Sequence, residues 1–292
     1  MDANGFAHPE YLVGGDWLLA HLDDPDVVVL DATVHLQPNP PGPYIVVSGR
    51  ADFEGGHVPG AQFVDLQADL SDNAQKLRFM TPSAAQFAAT MGRLGVGPKT
   101  RVILYSTANA WWASRVWWLL RVFGFDNAAL LDGGWKKWTQ EGRPIEAGPG
   151  KARPMQHFVA TLRAGLMVDK AAVAGAIGND AVCTLNALLP QQHAGEGVSP
   201  YGRPGRIKGS VNVSAASLFD PADNTLRPAA ELRTKFSGAG ALDKKVIVYC
   251  GGGIAASADA LALTMLGHTD VAIYDASLSE WASSADLPME TG

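Results

Sequence analysis

What this chain lacks narrows it first. Two cysteines, Cys183 and Cys250, are too few for a disulfide framework, and their spacing matches no zinc site. So little cysteine suits a reducing compartment, and the cytoplasm is the expected location. No run of 18 apolar residues occurs, so no membrane span is expected. The opening MDANGFAHPEYLVGGDW has early acids and neither the basic nor the apolar region of a secretory signal. Basic residues form no dense cluster and the net charge is −6, which argues against nucleic acid as a partner. Neither a metal nor an organic cofactor has support in the sequence.

What is present is an ordinary globular composition, 47% hydrophobic and 18% charged, in a length of 292 residues that suits two medium domains. The two halves repeat one order of signals. The first runs Val27–Asp31, then Gly56-His57-Val-Pro-Gly-Ala61, then Val102–Ser106, an amphipathic helix, and Asp132 with Trp138. The second runs Ala181–Asn186, then Gly205-Arg206-Ile-Lys-Gly-Ser210, then Val246–Cys250, a helix, and Asp275 with Trp281. From Ser106 to Asp132 is 26 residues, from Cys250 to Asp275 is 25, and each aspartate precedes its tryptophan by six. β-Branched strands alternating with helical segments predict an α/β fold built on parallel sheets. Helical spacing covers 82–94, ending at Gly95, and Trp111–Phe123, whose nearly continuous apolar character predicts burial. The expected domains are 1–145 and 158–292. Glycines and prolines between them mark 146–157 as a linker.

The two halves differ at one position that carries chemistry. Cys250 ends an apolar strand and is followed by Gly251, Gly252, Gly253, Ile254, Ala255 and an alanine-rich helix, whereas the first half has Ser106 there. Glycines let a loop curl so that successive N–H groups face inward, and the helix behind adds its positive end. Thiols so placed have pKa values of about 3.5–7.5, against about 8.5 for a free cysteine. The plainer alternative is a buried core cysteine. An arginine six residues on would grip a phosphate as in cysteine phosphatases, but that residue is Ala256, and no Arg or Lys follows Cys250. Cys183, inside an apolar strand, is expected to be inert. His57 is expected to serve its turn, Asp132 and Asp275 to cap or brace theirs, and Trp111, Trp112, Trp117 and Trp118 to pack in the core or between domains.

Gly56–Ala61, the Ala113-Ser-Arg-Val-Trp-Trp-Leu-Leu-Arg121 helix, Leu131-Asp-Gly-Gly-Trp135 and the Cys250 loop together resemble the two-domain rhodanese family of thiosulfate and 3-mercaptopyruvate sulfurtransferases. The resemblance covers nearly the whole chain and implies two tandem rhodanese-like domains, each a small parallel sheet flanked by helices. It implies that Cys250 takes a sulfane sulfur from a small-molecule donor as a persulfide and passes it to a thiol or cyanide, with a thioredoxin-like protein as a conceivable acceptor. The amides of Gly251, Gly252, Gly253, Ile254 and Ala255 would surround that sulfur. The cation-free loop is closer to the mercaptopyruvate pattern, Cys-Gly-Ser-Gly-Val-Thr, than to the thiosulfate one, though it lacks the hydroxyls at Gly252 and Ala255. The family's second-domain arginines are also missing. Gln192 stands where one would bind a carboxylate, and Arg203, Arg206 and Arg50 are the candidates to compensate. The alternatives are a degenerate sulfur-carrier or binding module with little turnover, and a redox sensor using an oxidisable thiol.

Overall fold

A computed structural model describes residues 5–40 and 42–292; Met1–Asn4, the first residues of the opening stretch, and Pro41 lie outside the described residues. Each half forms a five-stranded, all-parallel sheet. In the first, the spatial order is Leu12–Val13, Ala128–Leu131, Arg101–Tyr105, Val27–Asp31, Gln62–Phe63. In the second it is Val211–Asn212, Val182–Asn186, Lys245–Tyr249, Val271–Tyr274, Met167–Val168. Helices cover both faces, so the central strands are apolar throughout rather than alternating. The register repeats as the sequence does. Asp31 pairs with Tyr105 and Asn186 with Tyr249, so Ser106 and Cys250 leave their strands at matching points. Each tyrosine hydroxyl then accepts an N–H from its domain's glycine-bounded turn, Val58 N for Tyr105 and Ile207 N for Tyr249.

The expected helices form at Ala84–Arg93, with Ser83 as its N-cap, and at Trp111–Val122. The second of these packs on Ala255–Met265, so one buried cluster runs through both domains, holding Trp117, Trp118 and Trp281. Burying each such ring stabilises by roughly 1.5–3 kcal/mol.

Three features depart from the sequence expectations. The stretch 146–157 is not a free linker. It lies along the first domain, where Glu146 pairs with His57 and Gln156 N donates to Gly92 O. Residues 158–163, expected to open the second domain, stay there too, with Phe158 buried against Phe87 and Phe125 and Thr161 N bonded to Phe123 O. Asp132 and Asp275 reach across the interface rather than bracing only their own turns. Asp132 Oδ1 accepts from Leu226 N of the second domain at 2.9 Å, and Asp275 Oδ2 accepts from Thr81 N and Oγ1 of the first at 2.8 Å. Finally, an antiparallel hairpin, Val34–Asn39 with Gly42–Ser48, projects from the first domain alone and walls the cleft between the two.

Candidate active site

The Cys250 loop is held from behind by a short turn of the same domain. Leu278 N donates to Cys250 O at 3.1 Å, and Ser279 donates to Gly251 O through N at 3.0 Å and Oγ at 2.6 Å. Both carbonyls are thus drawn to that side. Ser277 Oγ accepts from Cys250 N at 3.1 Å and Gly253 N at 3.2 Å, and donates to Tyr274 O at 2.8 Å. This corrects one expectation. The Gly253 amide is spent on Ser277, so the N–H groups that can face the sulfur are those of Gly251, Gly252, Ile254 and Ala255.

The glycines have separate reasons. Gly253 has φ +77°, and a Cβ there would stand 3.0 Å from Asp275 O and 3.1 Å from Arg115 Nη1. A Cβ on Gly251 would stand 2.1 Å from Tyr201 Cζ and 2.4 Å from its hydroxyl oxygen. Gly252 has room, its nearest neighbour being Ser279 Oγ at 4.0 Å. Ser277 itself sits at φ +51°, a conformation costly for a residue with a Cβ and consistent with its hydroxyl being needed there.

Arg115 supplies a cation from the first domain. Its side chain is 1% exposed, Nη2 donates to Asp275 Oδ1 at 2.6 Å and to Phe79 O at 2.7 Å, and Nη1 lies against Gly253. The loop therefore rests on a buried ion pair that joins the two domains.

Tyr201 covers the loop from the cleft. Burial, with the neighbouring Cys250 and Tyr44, pushes its pKa above the usual tyrosine value, so its hydroxyl keeps its proton. Sequence reasoning missed both Tyr201 and Ser277, whose contacts with the loop span 49 and 27 residues of chain. The only signal for Ser277 lies in the repeat, where Gly134 occupies the matching position with φ +53°.

The cleft over Cys250 has a volume of about 780 Å³. Of the candidate substrate residues, Gln192 lines it, with Oε1 accepting from Leu189 N and Nε2 left to donate. The three arginines do not. Arg203 is tied to the carbonyls of Trp281, Ala282, Ser284 and Leu287. Arg206 is held by the carbonyls of His193 and Gly292 and lies near Glu290. Arg50 lies over the Phe63 ring, 4.8 Å from its centre. Carbonyl acceptors and an aromatic face have taken their donors. The cleft's cations are instead Lys76 and Arg78 of the first domain. His193, beside Gln192, has its pKa lowered to about 4 by burial and by Arg206, so its neutral Nδ1 accepts from Asn186 Nδ2 at 3.1 Å.

His57 is fully buried, with Nδ1 donating to Phe53 O at 2.7 Å and its ring stacked on Phe53, which places it in the turn and away from the cleft. Cys183 is buried with its pKa raised by burial, opposite Val246 and so four residues back along the strand next to that of Cys250, about 13 Å along the strand direction. No group of three or more His, Cys, Asp or Glu side chains suited to a metal ion occurs among the described residues.

The model of the rhodanese-like domain matches residues 15–141 and 192–284. The 3-mercaptopyruvate sulfurtransferase of Escherichia coli K12 is 33% identical over 283 residues, covering 96% of this chain and 98% of that protein. The thiosulfate sulfurtransferase of Rattus norvegicus is 32% identical over 295 residues, covering 96% and 94%. The crystal structure of SseA from Escherichia coli superposes with a TM-score of 0.80 at 32% identity, covering 91% of this chain and 98% of that one. With two parallel-sheet domains, a cysteine loop at their cleft and relatives matched along nearly their whole length, the chain belongs to the rhodanese family.

Proposed function

We propose that this protein is a sulfurtransferase that carries sulfane sulfur on Cys250, with 3-mercaptopyruvate preferred to thiosulfate as donor. Relatives of both donor types stand at about the same identity, so the preference rests on the site. Thiosulfate is a dianion, and the loop offers it no side-chain cation; Arg115, beneath the loop, is already paired with Asp275. A monoanionic keto acid needs less, and the Gln192 Nε2 with the free loop amides can meet it.

In the first transfer the Cys250 thiolate attacks the donor sulfur. A new S–S bond forms, the donor's C–S bond breaks, and the electron pair leaves on carbon as the pyruvate enolate. The proton from the donor thiol ends on that carbon. We assign its relay to the Tyr201 O–H, which packs against Gly251 and keeps its proton, in place of the hydroxyls absent at Gly252 and Ala255. The loop amides stabilise sulfur-centred negative charge before and after transfer, as an oxyanion hole does. A reducing compartment such as the cytoplasm would keep both thiols in use.

The single observation that carries this reading is that Leu278 and Ser279 hold the Cys250 and Gly251 carbonyls behind the loop, which leaves the Gly251, Gly252, Ile254 and Ala255 amides available to the sulfur. Steady-state rates with each donor, for wild type and Cys250→Ser, test it. The expected result is turnover with 3-mercaptopyruvate exceeding that with thiosulfate, and none in the variant. A clear preference for thiosulfate overturns the donor order, and turnover in Cys250→Ser overturns the mechanism.

A further inference from the structure

We propose that the cleft over Cys250 is shaped for a sulfur acceptor much larger than the donor: an aromatic thiol carrying an anionic group at the end far from its sulfur. This rests on the sulfurtransferase reading and adds the chemical class of the second substrate.

The first argument is size. Cavities of roughly 300–1,000 Å³ hold drug-sized ligands, and this one is about 780 Å³, whereas a three-carbon keto acid fills a small part of it. The second is chemistry. Tyr44, Phe79, Trp111, Trp112, Leu188 and Leu189 supply walls for a flat apolar body. Among the described residues no Asp or Glu lines the cleft, while Lys76 and Arg78 do, so the charge complementarity is with an anion. The third is arrangement. Tyr201 packs on Gly251, the Tyr44 ring centre lies 6.2 Å from that of Tyr201, and Arg78 Nη1 donates to the Tyr44 carbonyl. A chain of contacts thus runs from the sulfur-bearing loop through Tyr201 and Tyr44 to Arg78. A molecule with its thiol at Cys250 and its anionic group at the far end would follow that chain to the guanidinium.

The transfer needs no outside oxidant or reductant. The acceptor thiolate attacks the outer sulfur of the Cys250 persulfide. A new S–S bond forms as the bond to Sγ breaks, and the electron pair stays on Sγ, restoring the Cys250 thiolate while the acceptor leaves as a persulfide.

Binding is tested without turnover by protection of Cys250 from iodoacetamide. Naphthalene-2-acetate should slow alkylation at concentrations where acetate does not, and more strongly than its neutral amide. In Lys76→Met/Arg78→Met the acid should need about tenfold more to protect, the loss of a charge-assisted contact, which brings it level with the amide. With 3-mercaptopyruvate as donor, 4-mercaptophenylacetate should exceed both mercaptoacetate and its own amide in kcat/KM by about tenfold, on the same grounds. Equal protection by acetate, equality of acid and amide in wild type, or small thiols serving as well would overturn the proposal. If no donor loads Cys250 while naphthalene-2-acetate still protects, the sulfurtransferase reading fails and the cleft's ligand class stands.

Discussion

The two domains share a sheet order, a register and a turn chemistry, yet only one ends its third long strand in a cysteine followed by three glycines. Where the second domain has Cys250 and three glycines, the first has Ser106-Thr107-Ala108-Asn109-Ala110, with no glycine, and its serine hydroxyl is spent on Ala108 N at 3.1 Å. Where the second domain forces a serine to φ +51°, the first puts Gly134 at φ +53°. The backbone shape behind the loop is common to both; the hydroxyl that gathers two amides is particular to one. Arg115 and Asp259 occupy matching helix positions, 144 residues apart as Ser106 and Cys250 are. Arg115 is paired, whereas Asp259 is buried with no hydrogen-bond partner among the described residues, and burial pushes its pKa well up, favouring the neutral acid. The two halves thus keep one framework and differ in the contacts around one strand end, with the first half lending the cation beneath the second half's loop.

The comparison can be broken most severely at the strand ends. Cys250→Ser should abolish sulfur transfer, and adding Ser106→Cys should not restore it, because the first domain's loop lacks the three glycines; measurable turnover in the double variant would refute the distinction. Next in size is Arg115→Met, which leaves Asp275 buried beside no cation. Loss of one partner of a buried pair costs about 3–5 kcal/mol, and chemical denaturation should show it. Arg115→Lys should recover part of that.

A pH experiment probes another paired position, Asp31 against Asn186. Burial raises the Asp31 pKa to about 6, from the 3.8 of an exposed aspartate. A carboxyl whose folded pKa is raised favours folding in its neutral form. Its contribution is complete below about pH 4 and is lost as pH rises through 6, amounting to about 3 kcal/mol. Asp31→Asn, which installs the second domain's residue, should remove that slope between pH 4 and 7 in denaturant titrations. An unchanged slope would show that Asp31 titrates normally.

Ser277→Gly makes the second domain resemble the first. It relieves the positive φ but frees the amides of Cys250 and Gly253, and kcat should fall about tenfold for one to two hydrogen bonds near the reacting sulfur, with the fold intact. The smallest effect is expected for Gly252→Ser, since that position is open. Stability should stay within about 0.5 kcal/mol of wild type, and the new hydroxyl should raise turnover with 3-mercaptopyruvate rather than thiosulfate.

Much of this was legible in the sequence because it is local. β-Branched runs ending at Ser106 and Cys250, with nearly equal spacing to Asp132 and Asp275, announced the tandem α/β units and drew attention to Cys250. What was not legible depends on chain segments meeting from afar. The hairpin at 34–48 is interrupted by Pro38, Pro40, Pro41 and Pro43, which hide its strand pattern. The fates of Arg203 and Arg206 were set by carbonyls some 80 residues away, which composition does not reveal. Lys76 and Arg78 come from an irregular segment of the other domain, so no motif near Cys250 points to them.

The most direct measurement is peptide mass spectrometry after incubation with 3-mercaptopyruvate. A gain of about 32 Da, one sulfur accepted by a nucleophilic thiolate, is predicted on the peptide containing Cys250, absent from that of Cys183 and removed by a thiol acceptor. No gain on a Cys250 that still alkylates, or a gain on Cys183 instead, would contradict the account.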